Sequence, residues 1–251
     1  MLRPRVIACL DVAADRVVKG VQFQELVDLG RPEDLARRYE DEGADELVLL
    51  DITASAERRG PSLAVVERTA RRLAIPLTVG GGIRDRAGAL LVLAAGADKV
   101  SINSAALAAP DLVTQVAEEA GSQAVVVAID VRREAGTHRV YAAGGRTRTT
   151  WTLQDWVARV AALGAGEVLL TSIDRDGTGD GYDLDALAAA AAAARLPVIA
   201  SGGGRTAEHL AAALAVPGVT GALVAGVLHR GEVTLTALKQ QLSERGVPVR
   251  V

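Results

Sequence analysis

The chain has 251 residues, 49% hydrophobic and 24% charged, with a formal net charge of −3. This is enough apolar material for a full core, with no general basic surface for nucleic acid and no apolar run of the roughly 18 residues a membrane span needs. One cysteine excludes an internal disulfide and a cysteine-built metal site. His138, His209 and His229 stand at no metal-type spacing, and MLRPRVIACLDV meets charge too soon for a secretory signal. A cytoplasmic soluble protein with no metal and no cofactor is expected.

The first strand is expected at 5–11. Val6-Ile7-Ala8-Cys9-Leu10 is apolar on both alternations, as in a strand covered on both faces. Cys9 reads as a small core residue. The run ends in Asp11, a carboxylate that burial makes costly. Residues 13–31 follow as a long polar loop with Lys19, Gly20 and Phe23, a candidate lid. Lys19 either brings positive charge to ligand oxygens or is an ordinary solvated lysine. Further strands are expected at 46–52, 76–81, 99–103, 124–130, 167–173, 197–203 and 221–228. Helices are expected near 32–43, 62–73, 85–95, 110–120, 152–164, 184–195, 205–215 and 233–245. Residues 132–150, with the hairpin-like RVYAAGGRTRTT, flank the mouth as a second insertion. Strands and helices alternating eight times predict a single (β/α)8 barrel domain over 1–251, with a doubly wound sheet as the runner-up.

The sequence repeats itself. IPLTVGGGIR (75–84) resembles LPVIASGGGR (196–205), 121 residues later. The same offset sets GADELVLLDIT (43–53) on GAGEVLLTSID (164–174) and Glu46 on Glu167. An offset of 119 sets Asp11 on Asp130. Two half-barrels, about 1–120 and 121–251, follow. Strands 1 and 5 of a closed barrel are opposite, so both carboxylates project into one pocket. Burial and like charge there separate their pKa values into an acid and a base. The alternative is that each Asp caps the next helix or orders its own loop.

Gly81 and Gly82 follow strand 3, and Gly202 and Gly203 follow strand 7. Glycine lets backbone N–H groups approach an anion with no Cβ in the way. Small-residue turns stand after the next strands, at Asn103-Ser104 and at Ala225-Gly226. They predict helix starts able to hold phosphate. Asp176 and Gly177 add backbone groups to the second site or form an Asx-type turn. Two opposed phosphate sites imply a ligand with a phosphate at each end. Only Lys19, Lys99 and Lys239 are lysine among 28 basic residues, a hint of places where an ammonium suits better than a guanidinium.

The motifs ACLDV, RVVKGVQF (16–23), LLDITAS (49–55), TVGGGIR (78–84), GADKVSINSAA (96–106), GSQAVVVAID (121–130), LLTSIDRDGTGDGYD (169–183) and IASGGG (199–204) run along the whole chain. Together they resemble the cyclase subunit of imidazole glycerol phosphate synthase, from histidine biosynthesis. The resemblance implies that Asp11 and Asp130 are catalytic acid and base. It implies a bis-phosphorylated ribulosyl aminoimidazole carboxamide ribonucleotide as substrate, with Lys19, Thr171 and Ser201 among its contacts. Ammonia is added, the imidazole ring closes, and imidazole glycerol phosphate and aminoimidazole carboxamide ribotide leave. The resemblance also implies a glutaminase partner, docked in a heterodimer on the N-terminal face of the barrel. Arg5, Glu46, Lys99 and Glu167 match the family's charged gate there, and Thr78 and Ser101 its polar ammonia passage. Without the family, the four charges read as a stabilising ion-pair ring.

The chain departs from the family pattern at four places. Asp15 stands for a usual Gly, Gly204 for Ala and Gly226 for Ser, and VPGVT (216–220) is one residue longer than usual. The nearest rival is the sister isomerase of the same pathway, which shares the paired Asp and both phosphate sites. A silent barrel serving as a docking scaffold is the remaining alternative.

Overall fold

The computed structural model describes residues 3–21, 24–54, 57 and 59–250. Phe23 and Ser55, named above, lie outside them. The strands are β1 (Arg5–Ala13), β2 (Arg16–Val21), β3 (Gln24–Gly30), β4 (Glu46–Asp51), β5 (Leu77–Gly80), β6 (Lys99–Ile102), β7 (Val125–Glu134), β8 (Thr137–Ala142), β9 (Thr147–Thr152), β10 (Glu167–Ser172), β11 (Val198–Ser201) and β12 (Val219–Val224). The helices are α1 (Pro32–Asp41), α2 (Leu63–Ala70), α3 (Arg86–Ala94), α4 (Ser104–Ala108), α5 (Asp111–Ala120), α6 (Leu153–Ala162), α7 (Leu184–Ala193), α8 (Ala207–Leu214), α9 (Gly226–His229) and α10 (Leu235–Glu244).

Strands β1, β4, β5, β6, β7, β10, β11 and β12 pair in parallel in that order, and β12 returns to β1. This is a closed (β/α)8 barrel, as the alternation predicted. The double alternation of β1 is resolved physically. Val6, Ala8, Leu10 and Val12 face outward into the layer shared with the helices. Ile7 and Cys9 face inward, into a smaller core with Val48, Val126, Leu169, Ile199 and Leu223. Polar caps seat the helices around this frame. Asp85 accepts from Gly88 N, Asp183 from Ala186 N and Thr234 from Ala237 N.

Two expectations are corrected. The described residues of 13–31 are not a loop. They form an antiparallel ribbon, β2 and β3, that continues β1. Val17 and Val18 are buried on it, and that burial holds a polar-looking stretch as strand. The last barrel strand is also shorter than 221–228. It ends at Val224, and Gly226–His229 is a helical turn. The second insertion is a matching ribbon, with β8 and β9 extending β7.

The two ribbons turn in the same way. Ala14 and Asp15 have φ of 47° and 61°, and Ala135 and Gly136 have 45° and 82°. Two central residues at positive φ make the tight I′ turn that suits twisted strands. Asp15 therefore occupies a left-handed position that its repeat mate Gly136 fills without strain. Asp tolerates that conformation better than Ala does. We expect Ala14→Gly to stabilise the protein by about 1 kcal/mol and Asp15→Gly by less. Thermal unfolding of the two variants checks the order, and a larger gain at Asp15 would contradict it.

Candidate active site

The inward alternation that builds the lumen core continues to the C-terminal rim and delivers Asp11 on β1 and Asp130 on β7. Neither caps the following helix. Arg31 precedes α1, and Thr152 caps α6. The two carboxylates are equivalent in the repeat but not in their surroundings. Asp130 pairs in register with Thr171, and Thr171 with Ser201, a polar row. Asp11 pairs with Leu50, and Leu50 with Gly80, an apolar row. Asn103, just after β6, donates Nδ2 to Asp130 Oδ2 at 2.9 Å. Its own Oδ1 is buried with no partner among the described residues. Among the described residues Asp11 has only the Cys9 thiol, with Sγ 3.9 Å from Oδ1.

These contacts set the charge states. Burial raises Asp11 to about 7, with the negative charge of Asp176 adding and Cys9 opposing. Burial raises Asp130 to about 6, restrained by the Asn103 hydrogen bond and raised by Asp176. Asp176, expected at a phosphate site, thus also acts electrostatically on both carboxylates. Near neutrality Asp11 carries a proton for much of the time and Asp130 mostly does not.

The glycine turns flank this pair. Gly81 and Gly202 have φ of +93° and +87°. A Cβ at Gly81 would run into the Asp51 backbone, and one at Gly202 would meet the Ser172 carbonyl at 2.7 Å. Asp51 and Ser172 are themselves repeat mates. Glycine is therefore required first for seating each turn on the end of the preceding strand, β4 or β10. Gly82 and Gly203 continue these turns, and Gly177 lies in the turn after β10, all at positive φ. Helices α4 and α9 start just behind, at Ser104 and Gly226, and Ala225 precedes the latter. Ser104 Oγ accepts from Ala143 N at 2.9 Å, which ties the β8–β9 turn to this end of the mouth. Lys19 lies at the other end, with Nζ donating to the Gly226 carbonyl at 3.3 Å. The Gly204 departure has a cause. The Tyr182 hydroxyl fills the place of a Cβ there and donates to the Leu223 carbonyl at 2.9 Å.

At the opposite, N-terminal end, Arg5, Glu46, Lys99 and Glu167 close into an alternating ring. Arg5 Nη1 donates to Glu46 at 2.6 Å, and its Nη2 to Glu167. Lys99 Nζ lies 2.9 Å from Glu46 and 3.1 Å from Glu167. Glu46 is 1% exposed, so four paired charges stand where unpaired ones would be costly. Thr78 Oγ1 donates to Glu46 at 2.7 Å and so belongs to the ring. Ser101 is buried one pleat above Lys99 on β6.

The extra residue in VPGVT now has a place. Val198 pairs with Val219 and Ile199 with Gly221, so Thr220 is a bulge. Its hydroxyl accepts from Arg5 Nη2 at 3.0 Å. Thr220 was missed as a site residue, although the longer segment was the signal. Arg59 was missed too. It forks onto Asp51, with Nη2 3.0 Å from Oδ1, and braces the loop under Gly82.

The profile of the histidine biosynthesis protein family matches residues 5–234. The chain is 53% identical to imidazole glycerol phosphate synthase subunit HisF of Gluconacetobacter diazotrophicus, over 100% of this chain and 97% of that protein. It is 54% identical to the subunit HisF of Myxococcus xanthus, over 100% and 99% of the two chains. It is 50% identical to that of Acidobacterium capsulatum, with the same coverage. The chain belongs to the HisF family. HisF is the cyclase subunit of imidazole glycerol phosphate synthase, an enzyme of histidine biosynthesis. Among the described residues of this HisF chain, no helix is long and apolar enough to cross a membrane.

The raised carboxylates carry a stability cost that depends on pH. The folded protein holds the Asp11 proton up to about pH 7, whereas the unfolded chain releases it near 3.9. Between those values the folded state binds more protons, so stability falls as pH rises. Asn has no charge to bury. We expect Asp11→Asn to be more stable than the parent at pH 8, by about 4 kcal/mol, and to gain almost nothing at pH 4. Unfolding at the two pH values checks this, and an equal gain at both would contradict it.

Proposed function

We propose that in this HisF chain Asp130 is the general base and Asp11 the general acid of the cyclase reaction. The single observation that carries the assignment is the unequal environment of two equivalent carboxylates. One accepts a hydrogen bond from Asn103 and stays ionised. The other is buried beside apolar neighbours and keeps its proton to higher pH. Proton transfer is most effective when donor and acceptor pKa values lie near the working pH, and both groups meet that condition.

The substrate in this reading is the bis-phosphorylated ribulosyl aminoimidazole carboxamide ribonucleotide. Gly81, Gly82, Asn103 and Ser104 take one phosphate. Gly177, Gly202, Gly203, Ala225 and Gly226 take the other, with Lys19 alongside. Holding both ends fixes the register of the molecule over the Asp pair, which supplies the orientation part of catalysis. Thr171 and Ser201 face the substrate beside Asp130. Ammonia adds, the imidazole ring closes, and imidazole glycerol phosphate and aminoimidazole carboxamide ribotide leave. No metal or cofactor enters this scheme.

Ammonia comes from a glutaminase subunit that forms a heterodimer on the N-terminal face. The ring of Arg5, Glu46, Lys99 and Glu167 is its gate, and Thr78 and Ser101 line the way inward. The ring is electrically neutral and fully paired, so opening it means breaking several charge-assisted bonds at once. Partner binding is the source of the free energy for that. The reading makes this HisF a cytoplasmic enzyme. The sister isomerase remains the second reading only through the shared repeat, and HisF identity along the whole chain favours the cyclase.

The bis-phosphate substrate with ammonium salt at high pH, and no partner, is the direct test. The parent is expected to release the carboxamide ribotide, and Asp11→Asn and Asp130→Asn are each expected to lose at least about a thousandfold in kcat. Full activity in either variant would overturn the assignment. Lys99→Ala is expected to keep the ammonia-dependent rate and to lose glutamine coupling in the presence of the glutaminase. Unchanged coupling would make the ring purely structural.

A further inference from the structure

The rim beside β12 gathers more positive charge than the protein itself neutralises. Three cations come together there from distant parts of the chain. Lys19 on β2 reaches the Gly226 carbonyl. Arg230 directly follows α9, and its Nη1 lies 3.1 Å from where a Cβ of Gly226 would stand. Arg205 follows the Gly202–Gly204 turn and pairs through Nε with Glu232 at 3.1 Å. Glu232 is also the partner of Arg230 Nε. One carboxylate thus serves two guanidinium groups, and Lys19 makes no ion pair among the described residues.

The arrangement of Arg230 is specific. Its Nε is anchored by Glu232, and among the described residues its two terminal nitrogens have no hydrogen-bond partner. That leaves a planar fork beside the residue that opens α9. Gly226 stands where the family usually carries Ser, and the guanidinium occupies the space a side chain there would use. Like charges crowd at this point. The Lys19 ammonium is pushed below its ordinary pKa by burial first and by Arg230 second. Such a cluster is stable when an anion completes it. A phosphate monoester carries about two negative charges, which balances three cations against one carboxylate.

We propose that Arg230 is a substrate-binding residue, which grips the phosphate at the β11–β12 end of the mouth in place of a seryl hydroxyl at position 226. The proposal rests on the cyclase reading for the identity of the ligand. It replaces a neutral donor with a charged, bidentate one, which is roughly twice as strong per bond. It also fits a glycine at position 226, since a side chain there would press on the fork, whose Nη1 lies 3.1 Å from the Cβ position.

Ammonia-dependent turnover of the bis-phosphate substrate tests it, with circular dichroism to verify folding. Arg230→Ala is expected to raise KM about tenfold or more while kcat stays within about twofold. Arg230→Lys is expected to fall between. Gly226→Ser alone is expected to raise KM, because it displaces the fork. Added to Arg230→Ala, it is expected to recover part of the loss by placing a hydroxyl in the vacated space. An unchanged KM in Arg230→Ala, with the parent turning over normally, overturns the role of Arg230 and leaves the cyclase reading intact. A parent that makes no product overturns the cyclase reading instead. Arg230 is then judged by calorimetric titration with glycerol 3-phosphate. About tenfold weaker binding in Arg230→Ala sustains the phosphate site, and equal affinity overturns it.

Discussion

A closed barrel leaves each strand residue only two places, outside with the helices or inside along the axis, and the period of two decides which. Everything functional here follows from that restriction. Along β1 the inward positions are Arg5, Ile7, Cys9 and Asp11, so one strand contributes in turn to the ring, the lumen core and the C-terminal rim. The matching series on β7 supplies Val126, Ala128 and Asp130. The ion ring, the apolar plug and the acid pair are three levels of one column. A slip of a single residue in either strand would turn its carboxylate out of the pocket. The ribbons show the same rule. The offset between the two turns is 121 and that between the two Asp residues 119. A difference of two keeps both carboxylates facing inward.

Symmetry places the acid pair, and its breaking makes the pair useful. Unequal surroundings give the two carboxylates different pKa values, so that one holds a proton where the other has released it. Here the neighbours differ on every side. Leu50 stands where Thr171 does, Gly80 where Ser201 does, and a thiol where an amide donates. The two glycine-rich ends of the mouth differ as well. Ser104 is tied to the β8–β9 turn at one end, and Lys19 and Arg230 crowd Gly226 at the other.

The fold was legible because its signals are linear. Alternation of period two, eight helical patterns and a repeat at a fixed offset can each be seen along one strand of text. Asp11, Asp130 and the Gly pairs were visible for the same reason. Contacts between loops were not. Nothing in the order of residues says that Asn103 donates to Asp130, or that Arg59 grips Asp51. The ribbon over 13–31 read as a loop because polar residues on an exposed strand carry little hydrophobic pattern. The three lysines can each be located. Lys99 sits in the ring, Lys19 at the mouth, and Lys239 is 4% exposed, with Nζ 2.9 Å from Asp45 and 2.6 Å from the Gly43 carbonyl. At Lys99 and Lys239 a compact ammonium meets oxygens from several directions.

The central claim is that fold-imposed burial holds Asp11 and Asp130 at different, raised pKa values. Carbon-13 NMR of the aspartate carboxyl carbons, assigned with the two Asn variants, measures this directly in the unliganded protein. The account predicts a midpoint near pH 7 for Asp11 and near pH 6 for Asp130. Two midpoints near the ordinary carboxylate value of about 4, or the reverse order, would contradict it.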